Sequence, residues 1–213
     1  MDFVEFYDSL DAESREFLDS LGDGTYYEEL TTYEPTEDSD VYNASDAMEW
    51  FEFQGDTSRC AQYAQLFVIE EFTGYAFDMD EFAAFAEANG WFSEDYGTDL
   101  EDMNKMLDYF GIENYPSYAS DFSDLLTCLE NDGRVIVAVD SGEYWYNEGF
   151  IDDMVDPYGM DHAIEVIGYD AETNMVIVND SGVPDGAGLE IPLDTFLNAW
   201  ADSDNFMIEC YNS

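Results

Sequence analysis

The chain has 213 residues, the length of one compact domain with room for an added arm. Hydrophobic residues make up 46% and aromatics 17%, enough for a buried core and against wholesale disorder. Against 52 Asp and Glu stand only four cations, Arg15, Arg59, Lys105 and Arg134, and the net charge of −48 excludes nucleic acid and anionic membrane as direct electrostatic partners.

No apolar run approaches the roughly 18 residues of a membrane span. The opening Met-Asp-Phe-Val-Glu-Phe-Tyr-Asp lacks the cationic and apolar blocks of a signal peptide. A cytoplasmic location follows, or a secreted one if a leader has been removed. Three cysteines, Cys60, Cys128 and Cys210, are too few for a disulfide scaffold, and one thiol is left over from any pairing.

So many carboxylates repel one another across a small surface. Molar salt shortens the Debye length to about 3 Å and removes most of that penalty. The simplest reading is therefore a halophilic surface, although 16 Phe and 16 Tyr exceed what such adaptation calls for. The rival is a polyanionic face for a basic protein partner, as in a DNA mimic.

Residues 1–45 read as an acidic N-terminal arm or regulatory segment, with a short helix at Ser14–Leu18 and no clear period from Gly22 to Asn43. Residues 46–213 form the main domain. Met48 to Phe53 is an aromatic stretch ending at Gln54-Gly55. The spacing of Ala61, Ala64, Phe67 and Val68 predicts a helix over 58–72 with those residues on one face, closed by Gly74. Further helices are expected over 79–89 and 98–110, and a fourth starts at Asp121 and stops at Asp132-Gly133.

The character then changes to strands. Arg134–Val139 is β-branched and apolar, as in a strand covered on both faces. His162–Tyr169 and Met175–Asn179 are expected to pair as a hairpin. Leu193–Ala201 reads as a helix with Phe196, Leu197 and Trp200 inward, and Phe206–Tyr211 as a last strand. Helices first and an antiparallel sheet second make an α+β layout with two lobes.

The chain has one histidine, His162. Cys60 stands at the expected N-terminus of a helix, where open N–H groups and the dipole stabilise a thiolate. Gln54 lies six residues upstream, and Asp180 lies 18 residues after His162 at the end of the next strand. These residue types suit acyl transfer. Cys60 would be the nucleophile, His162 its imidazolium partner and acid, and Asp180 the group that orients the ring. The Gln54 amide and the Cys60 backbone N–H would form an oxyanion hole. Asn179 adjoins Asp180 and is the other residue placed to orient the ring.

At these residues the sequence resembles papain-like cysteine peptidases. Gln54-Gly-Asp-Thr-Ser-Arg-Cys60 is similar to the start of their nucleophile helix. Asp161-His162-Ala-Ile-Glu-Val-Ile-Gly-Tyr-Asp170 is similar to the histidine strand, and Val176-Ile-Val-Asn-Asp180-Ser-Gly182 to the strand bearing the third residue. The bacterial C39-like branch is the best match, through Asn89-Gly-Trp91, Gly97-Thr98-Asp99-Leu100 and Pro192-Leu-Asp-Thr-Phe196-Leu-Asn-Ala-Trp200. The resemblance runs from about Phe53 to Tyr211, and its pattern, with the orienting residue just before a Ser, favours Asp180 over Asn179. It departs at Arg59, where a small residue or Asp is commoner, and at Ala61, where that branch often has Gly. What it implies is a papain-like fold and a cysteine peptidase working through a Cys60 thioester on peptide or protein substrates; on that reading the chain's negative field would favour cationic ones at low salt.

Other residues have plainer expectations. Arg59 either offsets the negative field at Cys60 or points to solvent from the helix end. Cys128 and Cys210 read as buried structural thiols. The cluster of Asp152, Asp153, Asp156 and Asp161 does not match an EF-hand loop and reads as solvated. No Cys/His pair has zinc spacing and no Gly-rich phosphate loop follows a strand, so neither metal nor cofactor is expected. Two other activities fit the same order of residues, a papain-like transferase or a deamidase, and from another class a catalytically silent acidic scaffold that binds a basic protein. The sequence carries no signal for an oligomeric state.

Overall fold

The computed structural model describes residues 44–145 and 159–212. The expected arm up to Asn43 lies outside the described residues, as do Asp152, Asp153 and Asp156. In chain order the elements are α1 (Ala44–Met48), α2 (Cys60–Thr73), α3 (Met79–Ala88), a 3-10 turn at Leu100–Asp102 and α4 (Lys105–Phe110). Then come β1 (Glu113–Ser117), α5 (Phe122–Glu130), β2 (Arg134–Val139), α6 (Gly142–Trp145) and β3 (His162–Asp170). The chain closes with β4 (Met175–Asn179), β5 (Ala187–Pro192), α7 (Leu193–Ala201) and β6 (Met207–Tyr211).

The six strands form one antiparallel sheet in the order β1-β6-β2-β3-β4-β5. Its centre is the β-branched run of β2, every residue of which is buried. The β3–β4 hairpin forms as expected, with a register shift between Val166 and Gly168. Gly168 lies where α1 crosses: a Cβ there would stand 3.5 Å from the Ala44 Cβ.

Two strands carried no sequence signal, for opposite reasons of chemistry. β1 is a polar edge strand containing Pro116, a residue the ladder tolerates only at an edge or bulge. β5 is the other edge and contains Gly188 with a φ of 65°, so neither alternation nor β-branching marks it. The short helices α1 and α6 were also unsignalled, at five and four residues.

Helix α2 begins at Cys60, two residues later than its pattern predicts, and it is not amphipathic. All ten residues from Ala61 to Glu70 are buried. Its polar side chains are accommodated inside by neutral partners. Gln62 Nε2 donates to Thr98 Oγ1 at 3.0 Å, and Gln65 Oε1 accepts from the Met106 backbone N–H at 3.0 Å. Glu70 Oε1 accepts from the Phe77 N–H at 2.6 Å. The expected single helix over 98–110 is in fact the 3-10 turn followed by α4. Gln65 accounts for the break, because its amide oxygen takes a first-turn N–H of α4 that would otherwise lack a partner. Met103, Met106 and Leu107 still face the core.

Local signals held elsewhere. Asp121 caps α5 in a reciprocal box with Asp124, accepting the Asp124 N–H at 3.0 Å while the Asp124 carboxylate accepts the Asp121 N–H at 3.1 Å. Gly74 and Gly111 end α2 and α4 at φ of 69° and 74°, in the left-handed region that favours glycine. In α7, Phe196, Ala199 and Trp200 are buried, and Leu197 is half-buried.

A second polar group sits deep under α1 and α2. Arg134 grips Glu71 with two hydrogen bonds, Nε to Oε2 at 2.8 Å and Nη2 to Oε1. Glu165, in the middle of β3, is wholly buried. Its Oε2 accepts from Asn179 Nδ2 at 2.8 Å, and its Oε1 has no hydrogen-bond partner among the described residues. Burial, and then the Glu71 charge, push its carboxyl up to about 8. Glu165 is therefore protonated in the fold at neutral pH, whereas an unfolded Glu ionises near 4.5. The native state holds the extra proton between these values, so the contribution of Glu165 to stability falls as pH rises from 4.5 to about 8. Glu165→Gln removes that slope. In urea unfolding at constant salt, the stability of the variant relative to the parent should grow across this window and level off above it; a constant difference would show that Glu165 is ionised in the fold.

Candidate active site

Three elements converge at one cleft. Cys60 is the first residue of α2, and Arg59, its N-cap, makes no side-chain capping bond. The Gln62 and Tyr63 N–H groups both donate to the Arg59 carbonyl, at 2.9 Å, so the Cys60 and Ala61 N–H groups are the ones left without a partner inside the helix. His162 is the first residue of β3 and pairs with Val139 at the end of β2. Asp180 follows the last residue of β4, so the hairpin carries it back beside His162. The His162 Nε2 and Asp180 Oδ1 atoms lie 2.6 Å apart.

The choice between Asn179 and Asp180 is resolved by the pleat, which sends neighbouring side chains to opposite faces. Asn179 Nδ2 donates to the Ala47 carbonyl at 3.0 Å and to Glu165, under α1. Asp180 is the one at the ring.

With Nε2 engaged by Asp180, Nδ1 is the ring nitrogen left to interact with the Cys60 thiol. Burial by itself raises the thiol and lowers the imidazole. For both groups the pair interaction prevails: Cys60 is held below the ordinary thiol range by the His162 hydrogen bond and charge, helped by the Ala163 and Ala61 N–H groups. His162 is pushed up to about 10 by Asp180 and Cys60 against its burial. Asp180 is buried, yet its hydrogen bond to His162 and the imidazolium charge hold it below the usual carboxylate range. The interactions shift the three groups toward thiolate, imidazolium and carboxylate.

Gln54 is anchored from both ends. Its backbone N–H donates to the Ser181 carbonyl at 2.8 Å, and Ser181 Oγ donates to its Oε1 at 2.7 Å. The Thr57 carbonyl, which can only accept, fixes which side-chain atom is nitrogen. Nε2 donates one hydrogen to the Thr57 carbonyl at 3.0 Å, and its second hydrogen is left for the cleft, which Gln54 and Cys60 both line. All four residues singled out in the sequence therefore come together.

The cleft has a volume of about 480 Å³. Leu100, Met103 and Met160 give it apolar lining, Asp99 and Asp161 acidic groups, and Tyr96 stands 91% exposed at its rim. Arg59 turns away from both expected roles. It binds Asp80 Oδ1 at 2.7 Å and Glu94 Oε1 through Nε at 2.7 Å, so it ties the start of α2 to the turn that carries Tyr96. Asp161 is exposed, as expected, and accepts from the Ser141 N–H at 3.0 Å and its hydroxyl at 3.2 Å. Among the described residues no group of His, Cys, Asp and Glu is arranged to hold a metal ion, and no helix is long and apolar enough to cross a membrane.

Two neighbours were invisible in the sequence. Tyr144 and Trp145, on α6, both donate to Asp180 Oδ2, at 3.1 and 2.9 Å. The nearest thing to a signal is Gly182, whose missing side chain leaves the space Trp145 occupies.

The sequence profile of the peptidase C39-like family matches residues 47–206. The chain belongs to this family. Its C39-like, papain-like fold is shared with the crystal structure described as a C39-like peptidase from Bacillus anthracis, at a TM-score of 0.60, 13% identity, and coverage of 84% of this chain and 99% of that one. The peptidase domain of Streptococcus ComA, a bifunctional ABC transporter of a quorum-sensing pathway, superposes at a TM-score of 0.54 and 15% identity over 76% of this chain and 98% of that domain. In sequence, uncharacterized proteins of Mycobacterium bovis and Mycobacterium tuberculosis are 31% identical over 120 residues, 52% of this chain and 52% of theirs. The chain thus spans about half the length of the curated relatives it matches.

In this C39-like domain the three cysteines are free and unequal. Burial pushes Cys128 up to about 11 and Cys210 well above the thiol range, while Cys60 is lowered. Iodoacetamide at neutral pH should therefore alkylate Cys60 on the order of tenfold faster than either buried thiol. Peptide mass spectrometry of the native protein gives the three rates, and equal rates would mean that Cys60 is not poised.

Proposed function

We propose that this C39-like protein is a cysteine peptidase adapted to concentrated salt, acting preferentially on cationic peptides. The observation that carries the reading is the 2.6 Å contact between His162 Nε2 and Asp180, which leaves the other ring nitrogen for the Cys60 thiol in the same cleft. The Cys60 thiolate attacks the scissile carbonyl carbon. The oxyanion that forms is held by the Cys60 backbone N–H and the free Gln54 amide hydrogen. The His162 imidazolium gives its proton to the leaving amine as the C–N bond breaks, and a Cys60 thioester remains. Neutral His162 then takes a proton from water, hydroxide adds to the thioester, and the acid leaves as the thiolate and imidazolium are restored. Asp180 stabilises the imidazolium at the two stages where it carries charge.

Charge supplies the preference. With a net charge of −48, and with Asp99 and Asp161 at the cleft, a peptide bearing Lys is drawn in and one bearing Glu is repelled at low salt. The same self-repulsion makes the fold depend on screening, which is the support for salt adaptation.

Peptide hydrolysis in molar salt tests the reading. Cys60→Ala should abolish turnover, and persistence of turnover in that variant would overturn the mechanism. Gln54→Ala should lower kcat by about 10²-fold, the worth of one oxyanion donor. Because the leaving amine needs the imidazolium, activity should persist through neutral pH and fade as pH rises toward about 10, where His162 gives up its proton.

Salt separates the surface effect from the chemistry. The kcat/KM ratio for a Lys-bearing over a Glu-bearing peptide should be largest at low salt and decline toward unity in molar potassium chloride. A ratio that salt does not move would place the preference in a pocket instead of in the protein's field.

A further inference from the structure

Asp180 is wholly buried and its two oxygens are fully engaged. Oδ1 faces His162 Nε2 at 2.6 Å and accepts the Gly182 N–H at 2.8 Å. Oδ2 accepts Tyr144 OH at 3.1 Å and Trp145 Nε1 at 2.9 Å. The donors to Oδ2 are adjacent residues of a four-residue helix that belongs to neither strand of the hairpin.

That helix is itself pinned beside the histidine. The Gly142 N–H donates to Asp140 Oδ1 at 2.8 Å, and Ser141 donates its N–H and hydroxyl to Asp161, the residue before His162. The Trp145 ring packs on the imidazole, with centroids 4.9 Å apart and planes at 58°. Its place exists only because residue 182 is glycine. A Cβ there would lie 2.5 and 2.6 Å from Trp145 Cζ2 and Cη2, contacts that real structures essentially never show.

We infer that Tyr144 and Trp145 are positioning residues of the site, which fix the plane and the charge of Asp180 and so aim the His162 imidazole at Cys60. The inference rests on the peptidase reading above. A carboxylate held only by the ring can turn about its Cβ–Cγ bond; two donors on the outer oxygen stop that rotation. They also satisfy a buried charge that would otherwise take up a proton and cease to support the imidazolium. Both are dependable donors. The indole N–H has no acceptor role, and burial beside Asp180, with Asp161 and Cys60 adding to it, keeps the Tyr144 phenol protonated.

The test uses Tyr144→Phe, Trp145→Phe and Gly182→Ala in the full chain. Tyr144→Phe keeps the ring and Trp145→Phe an aromatic group in its place, each losing one donor, and Gly182→Ala keeps both donors but displaces the indole. The first readout is iodoacetamide alkylation of Cys60 against pH. The second is the His162 Nε2 proton by NMR, unambiguous because the chain has one histidine.

Each variant should move the alkylation onset upward, slow the rate at pH 6 by about tenfold, the worth of one hydrogen bond to a charged group, and speed exchange of the Nε2 proton with water. Trp145→Phe and Gly182→Ala should agree, whichever tolerates its change better. Profiles and proton signals that overlay the parent in both Phe variants overturn the inference, and leave Tyr144 and Trp145 as packing alone. If parent Cys60 alkylates like an ordinary thiol and His162→Ala changes nothing, the peptidase reading fails instead. The inference is then decided by the Nε2 proton, whose faster exchange in the variants supports it and whose unchanged exchange overturns it.

Discussion

The site depends on α2 lying flush against β2 and β3. Ala61 and Ala64 on the helix share one core cluster with Ala138 and Ala163 on the strands. Small side chains let the two backbones approach, and the approach brings the N-terminus of the helix to the first residue of β3. Cys60 and His162 meet for that reason. The larger residues of the same helix, Leu66, Phe67 and Ile69, are buried farther along. Packing therefore locks the helix from Ala61 onward, and Cys60 at its head reaches the cleft.

The extreme charge balance leaves a mark on the interior. A chain with 52 carboxylates and four cations cannot pair its buried acids with Lys and Arg. Arg134 with Glu71 is the buried ion pair of that kind among the described residues. The other internal acids rely on neutral donors: Glu70 on the Phe77 N–H, Glu165 on Asn179, and Asp180, beside its partner His162, on Gly182, Tyr144 and Trp145. Where the neutral donors are too few, as at Glu165, the group keeps its proton instead.

Neutral donors have a particular value at Asp180. A guanidinium there would hold the carboxylate equally well, but it would compete with the imidazolium for the same charge. A phenol and an indole support the carboxylate and leave its attraction for His162 nearly whole. The acidity that burdens the surface is in this way compatible with a dyad built on one more acid.

Much of this was legible in the chain itself. Strand β2, the β3–β4 hairpin, α5 with its Asp121 cap and α7 are dictated by periodicity, β-branching and capping, which are local. Gln54, Cys60, His162 and Asp180 were legible because the chemistry limits the residue types and the chain has a single histidine to organise them. What the sequence could not determine depends on partners distant in the chain. The break before α4 comes from Gln65, 41 residues away. The edge strands β1 and β5 are strands only because β6 and β4 offer them a ladder. The partners of Asn179, the Ala47 carbonyl and Glu165, lie 132 and 14 residues away and appear only in the folded sheet. Tyr144 and Trp145 sit 36 and 35 residues from the carboxylate they hold. A hydrogen bond across such a separation leaves no periodic trace, so only the tertiary structure decides it.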